Sequence, residues 1–129
     1  MIPGDIVLIR FPQSDLQAGK LRPALVVAIT PGKYGDLLLA AISSRLYQAV
    51  AGVDELVYPS DADFAQTHLK VASVIRTSRL ATVESSVIDA HLGRISSDRL
   101  QKVKSQITGW LQTPSDLERL DVTHESPDE

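Results

Sequence analysis

At 129 residues and a net charge of −3, with 43% hydrophobic and 22% charged residues, the chain has the size and balance of one soluble globular domain. Its apolar runs fall far short of the roughly 20 residues that span a bilayer, and its opening, MIPGDIVLIRF, lacks the features of a secretory leader, so a cytoplasmic protein without a membrane partner is expected. The absence of cysteine excludes disulfides, thiolate metal sites and cysteine nucleophiles, and three scattered histidines, His68, His91 and His124, give no reason to expect a metal or cofactor.

DIVLIRF, Asp5 to Phe11, reads as a first strand, set off by the Pro3-Gly4 turn signal and stopped by Pro12. PQSDLQAGK follows as a loop, in which Gly19 supplies freedom and Gln17 and Lys20 carry polar reach. Pro23 opens a second strand, PALVVAI, at a first position where no ladder bond is lost. After the turn TPGKYGD, LLLAAIS (Leu37 to Ser43) is a third strand whose unbroken apolarity implies burial on both faces. It ends in the hydroxyls Ser43 and Ser44.

DELVYP reads as a short fourth strand, and Ser60 is a candidate cap for about one helical turn in SDADFAQ. LKVASVIRTSRLATV alternates imperfectly and reads as one or two strands broken near Thr77 and Ser78. In ISSDRLQKVKSQITGWLQ, Leu100, Val103, Ile107 and Trp110/Leu111 mark one face of a helix, with Ser96 or Ser97 as its cap and Asp98 facing the positive end of its dipole. Pro114 ends it. Thr113 to Glu129 then holds six acids against Arg119, a net of −5, which leaves residues 1–112 at +2. A mildly basic body followed by an acidic, mobile tail is therefore expected, and the body tolerates a phosphate partner. Short strands with one strong C-terminal helix make an α+β or small-barrel fold.

Three stretches in this order, PGDIVLIRFP, QAGKLRPALVV and LLLAAISSRL, resemble the PemK/MazF family of toxin ribonucleases. LKVASVIRTSRLATV followed by LGRISSDRLQKV resembles the later strands and final helix of a PemK-like branch, so the resemblance runs from about Ile2 to Leu111. It implies a small, strongly bent sheet like an SH3-like barrel with a C-terminal helix, a homodimer, and a cognate antitoxin. The implied activity is metal-independent cleavage of single-stranded RNA. Carried over by motif, the catalytic residues are Arg22, of the Arg-Pro pair, and Ser43, the hydroxyl ending the third strand, where threonine is more usual.

The chemistry of these residue types fits. RNA brings its own nucleophile in the 2′-hydroxyl, so a protein needs to align it, stabilise the phosphorane and move two protons. Arginine's planar fork suits the phosphorane, although its high pKa makes it a poor base. Read without the resemblance, Arg22 is a solvated strand end or a partner of Asp15 or Asp36, and Ser43 is a turn hydroxyl. Arg76 is either a second cation in the groove or a structural ion-pair residue. Some members of the family carry an acid near Ser73; a serine there supplies no carboxylate base, and it stands with Gln17, Lys20, Arg76 and His68 as a candidate RNA contact. His68 is a candidate base or a surface residue, and Trp110 belongs to the helix's apolar face. A binding module without cleavage, or a toxin with a protein target such as gyrase, is the alternative reading.

Overall fold

The computed structural model describes residues 1–10 and 20–114. The elements are β1 (Asp5–Ile9), β2 (Arg22–Ile29), β3 (Leu37–Ser43), a 3₁₀ turn (Leu46–Gln48), β4 (Glu55–Val57), α1 (Phe64–Thr67), β5 (Ser73–Val83), a second 3₁₀ turn (Ser85–Val87), β6 (Ala90–Arg94) and α2 (Ser97–Gln112). The strands form one antiparallel sheet in the order β4-β5-β3-β2-β1-β6. The α+β, bent-sheet reading with a C-terminal helix is the architecture found.

Strand alternation divides the apolar side chains between two faces. Ile6, Leu25, Val27, Ala40, Ile42, Val57 and Ile75 point to one side, where Val103 and Ile107 of α2 cover them. The three-and-four spacing of α2 exists to meet this face. Its first turn is capped by Ser96, whose Oγ accepts the Arg99 N–H at 3.1 Å. Val7, Ile9, Ala24, Val26, Leu37 and Leu39 make a second cluster on the other side, joined by Ala41, Ala81 and Val83. The double burial expected of LLLAAIS follows from this two-sided core.

β5 is one strand, yet its pairing with β3 slips where a break was expected. Ala40 faces Leu80 and Ala41 faces Arg76, so Thr77, Ser78 and Arg79 have no opposite number in β3. Such an insertion bends a sheet, and its backbone needs other partners. The Thr77 N–H donates to Asp54 Oδ1 (2.9 Å), its hydroxyl donates to the Val53 carbonyl (2.8 Å), and its carbonyl accepts from Trp110 Nε1 (3.3 Å). Trp110 thus packs as part of α2 while its N–H secures the bend.

Two expectations are corrected. AHLGR was not read as a strand, but Ala90–Arg94 forms edge strand β6, whose pairing with β1 decides its conformation. Ser60 does not cap α1: Asp63 stands at that position, and its carboxylate serves Arg99 and the Ser96 N–H instead.

α1 lies directly on β6. A Cβ added to Gly93 would overlap the Thr67 carbonyl, a backbone group held within α1. Gly93→Ala is expected to cost about 1–3 kcal/mol or more by overpacking, read as a lower midpoint in urea unfolding followed by circular dichroism. An unchanged midpoint would mean that α1 is free to lift from β6.

Candidate phosphate site at the Arg22 and Ser43 strand ends

Pro23 and the apolar run behind it hold Arg22 on the sheet, half-buried, at the first position of β2. Ser43 is the last residue of β3, also half-buried. Register brings them together. Ala24 pairs with Ala41, and continuing that antiparallel register two residues sets Arg22 opposite Ser43. Opposite residues share a face with Cβ atoms ordinarily about 5 Å apart. Arg22 also pairs with Ile9, and Ser43 with Val74, so one row crosses the sheet as Ile9, Arg22, Ser43 and Val74. The next row is Val7, Ala24, Ala41 and Arg76. Arg76 therefore lies on the same face, diagonal to Ser43.

The sequence-derived candidates divide on this geometry. Ser43 Oγ accepts the Arg45 N–H at 3.0 Å, which turns the chain out of β3 and leaves the hydroxyl proton available to donate. Arg76 is committed elsewhere: its Nε lies 3.1 Å from Asp54 Oδ2 and its Nη1 donates to Gln48 Oε1 at 3.3 Å. Asp54 is fully buried as a side chain and also accepts the Val50 N–H at 3.0 Å. Arg76 thus has the structural ion pair that was one of its two readings. Ser73 is buried and donates its hydroxyl to the Val71 carbonyl at 2.9 Å. His68 is exposed at the left-handed C-cap of α1 (φ 58°). Lys20 is exposed two residues before Arg22, whereas Gln17 and the acidic tail beyond Pro114 lie outside the described residues. His91 is in β6, with Nε2 3.3 Å from Asp5 Oδ1.

A second polar centre escaped the sequence reading. Arg99, on the first turn of α2, reaches Glu55 Oε2 (2.8 Å), Asp61 Oδ2 (2.8 Å), both carboxylate oxygens of Asp63 (2.9 Å each) and the Leu56 carbonyl (2.9 Å). Hydrogen bonding to Arg99, aided by the Ser96 N–H and opposed by burial, lowers the Asp63 pKa to about 2. Asp61 is lowered chiefly by the Tyr58 N–H and then by Arg99. Asp63, through its hydrogen bond, raises the Arg99 pKa. The centre joins β4, the α1 region and α2, elements separated by more than 40 residues at Glu55 and Arg99.

An open groove of about 960 Å³ lies over this centre, with Asp54, Glu55, Asp61, Asp63 and Asp98 among its walls against Arg99 and Lys102. Its excess of carboxylates repels phosphate. Electrostatics therefore disfavour the groove for an anionic ligand.

Among the described residues no helix is long and apolar enough to cross a membrane. The Mycobacterium tuberculosis toxin MazF-mt6 shares the fold at a TM-score of 0.60 and 15% identity, over 83% of this chain and 95% of that one. An endoribonuclease in complex with its cognate antitoxin, from a mycobacterial species, superposes at 0.60 and 14% identity, over 89% and 98%. No match was found among curated proteins. The model of the PemK-like, MazF-like toxins of type II toxin–antitoxin systems matches residues 2–111, and the chain belongs to that family.

Proposed function

We propose that this protein is an endoribonuclease toxin that cleaves single-stranded RNA by attack of the 2′-oxygen on the adjacent phosphorus, without a metal ion. The reading is supported by the β2–β3 register, which pairs Ala24 with Ala41 and, continued to the strand ends, brings a cation, Arg22, and a hydroxyl, Ser43, to one sheet face. In the reaction the 2′-O–P bond forms, the P–O5′ bond breaks, and the products end in a cyclic phosphate and a 5′-hydroxyl. A base takes the 2′-proton, and the departing oxygen acquires one.

Arg22 neutralises charge on the non-bridging oxygens as the phosphorane forms, using two N–H groups in the plane that phosphate accepts. Ser43 donates its remaining proton to one of those oxygens. Their rigid mounting matters because a strand holds geometry better than a free loop. Arg76, neutralised by Asp54, braces the neighbouring backbone and adds little net field to the Arg22 and Ser43 row.

Family membership supports two further elements of the proposal, an antitoxin protein as partner and a homodimer as the working form. A module that binds without cutting is the second reading. It is favoured by the composition of the row itself, Ile9, Arg22, Ser43 and Val74, which among the described residues brings no carboxylate base.

Incubating the full chain with a long single-stranded RNA in EDTA separates the two. Fragments ending in cyclic phosphate are the expected result. Retention of the RNA with no cleavage would support the binding module, and loss of cutting on chelation would overturn metal independence.

A further inference from the structure

The segment leaving Ser43 presents an aromatic ring to solvent. Tyr47 stands in the 3₁₀ turn Leu46–Gln48, four residues beyond Ser43, and is 74% exposed. A chain of that length reaches at most about 14 Å, and the turn shortens it. The Tyr47 backbone therefore lies within that reach of Ser43, and the neighbouring Gln48 meets Arg76 of the adjacent row. No packing role explains it, since the turn buries none of its residues.

The backbone beneath the ring is secured from both sides. At its start the Arg45 N–H donates to Ser43 Oγ. At its end Gln48 accepts from Arg76, while Asp54 binds both Arg76 and the Val50 N–H. A buried ion pair thus anchors the end of a surface turn, and the exposed Arg45, two residues before Tyr47, brings a positive charge to the segment. Tyrosine in such a setting offers a rigid flat surface at small entropic cost.

We infer that Tyr47 is a base-stacking residue, forming a subsite for a nucleobase that flanks the scissile phosphate. This rests on the proposed RNA cleavage at Arg22 and Ser43 and adds to it the contact that seats the strand. The Asp54–Arg76–Gln48 clamp positions the ring. Stacking reads no hydrogen-bond pattern, so the subsite contributes affinity to any sequence and favours the larger base faces. Tyr34 supplies an internal comparison. It is 83% exposed with Lys33 over its ring at 5.9 Å, but it sits in the β2–β3 turn at the opposite end of those strands.

The test uses a short RNA spanning one mapped cleavage site, with a 2′-deoxy sugar at the scissile nucleotide to remove the nucleophile and fluorescent aminopurine placed at each flanking base in turn. Wild-type protein and Tyr47→Phe are expected to quench one of the two probes. Tyr47→Ala is expected to lose the quenching and to bind roughly 5- to 100-fold more weakly, with an unchanged circular dichroism spectrum. Tyr34→Ala should match wild type in all respects. Wild-type affinity and quenching in Tyr47→Ala, in a protein whose cleavage still depends on Arg22, would overturn the stacking role alone. Absence of both RNA binding and cleavage in the wild type would overturn the ribonuclease reading and the subsite with it.

Discussion

Arg22→Ala is expected to lower the rate of RNA cleavage by about 10²–10³-fold, the usual cost of removing one preorganised donor to a developing oxyanion. A loss of that size should appear mostly in kcat, because the extra charge exists only in the transition state. The thermal midpoint should change little, since alanine at this strand entrance removes a half-buried side chain without emptying the core. Arg22→Lys restores charge without the fork, so only part of the rate should return. Ser43→Ala should cost about 10²-fold. It also removes the acceptor for the Arg45 N–H, and Ser43→Thr, which keeps both roles of the hydroxyl, is the control. Cleavage by Arg22→Ala at the wild-type rate would remove this row from the reaction.

Arg99→Ala is expected to have the largest effect on stability. It takes the guanidinium from Asp63 and Glu55, whose side chains are each 6% exposed, and from Asp61 at 31%, leaving Asp63 with the Ser96 N–H and Glu55 with Lys102 and Gln106. Breaking a buried pair while leaving its charged partner costs about 3–5 kcal/mol, equivalent to roughly 10–20 °C in melting temperature for a domain of this size. Arg99→Lys should recover little, because one ammonium cannot span three carboxylates and the Leu56 carbonyl in the geometry the guanidinium uses. Thermal unfolding of the three proteins at neutral pH provides the measurement.

The same centre predicts how acid acts. Asp63 titrates at about 2 in the folded chain against an ordinary 3.8. Because the folded value is the lower one, the unfolded chain binds protons first as pH falls, and the folded state loses stability. Asp63's contribution is complete above its unfolded pKa and declines as pH drops through about 2. The difference corresponds to on the order of 2 kcal/mol. Asp61 shifts in the same direction. Urea midpoints should thus fall between pH 5 and 2 in the wild type, and Arg99→Ala should show a smaller fall over that interval. An equal fall in both would assign the acid sensitivity to other carboxylates.

Local features of the chain were legible where a residue's role depends on its neighbours in sequence. The apolar periods of β1, β2, β3 and α2 and the serine cap of α2 all belong to this class. Arg22 and Ser43 were legible as ends of strands, through the proline that starts one and the hydroxyl that follows the apolar run of the other. Their meeting needed only the hairpin register. β6 was not legible, because AHLGR has one large apolar residue and takes its conformation from β1. Thr77 also looked like a place where a strand stops. In the fold Asp54 and Trp110 satisfy its backbone, and the strand continues around a bend.

Arg99 marks the boundary most clearly. In sequence it is one cation on an amphipathic helix, indistinguishable from Lys102 or Lys104, and the acids it binds lie in a separate short strand and turn. Residue order alone was enough for β1 to β5 and for α2, since periodicity and turn chemistry act within a few residues, while Arg22 and Ser43 were singled out by the family resemblance of the motifs that carry them. Only the tertiary structure decided that Arg76 and Arg99 are consumed in holding the fold. Burial makes that choice: a charge removed from water must find a partner, and Asp54 and Asp63 could be matched to Arg76 and Arg99 only after the sheet had bent and the helix had docked.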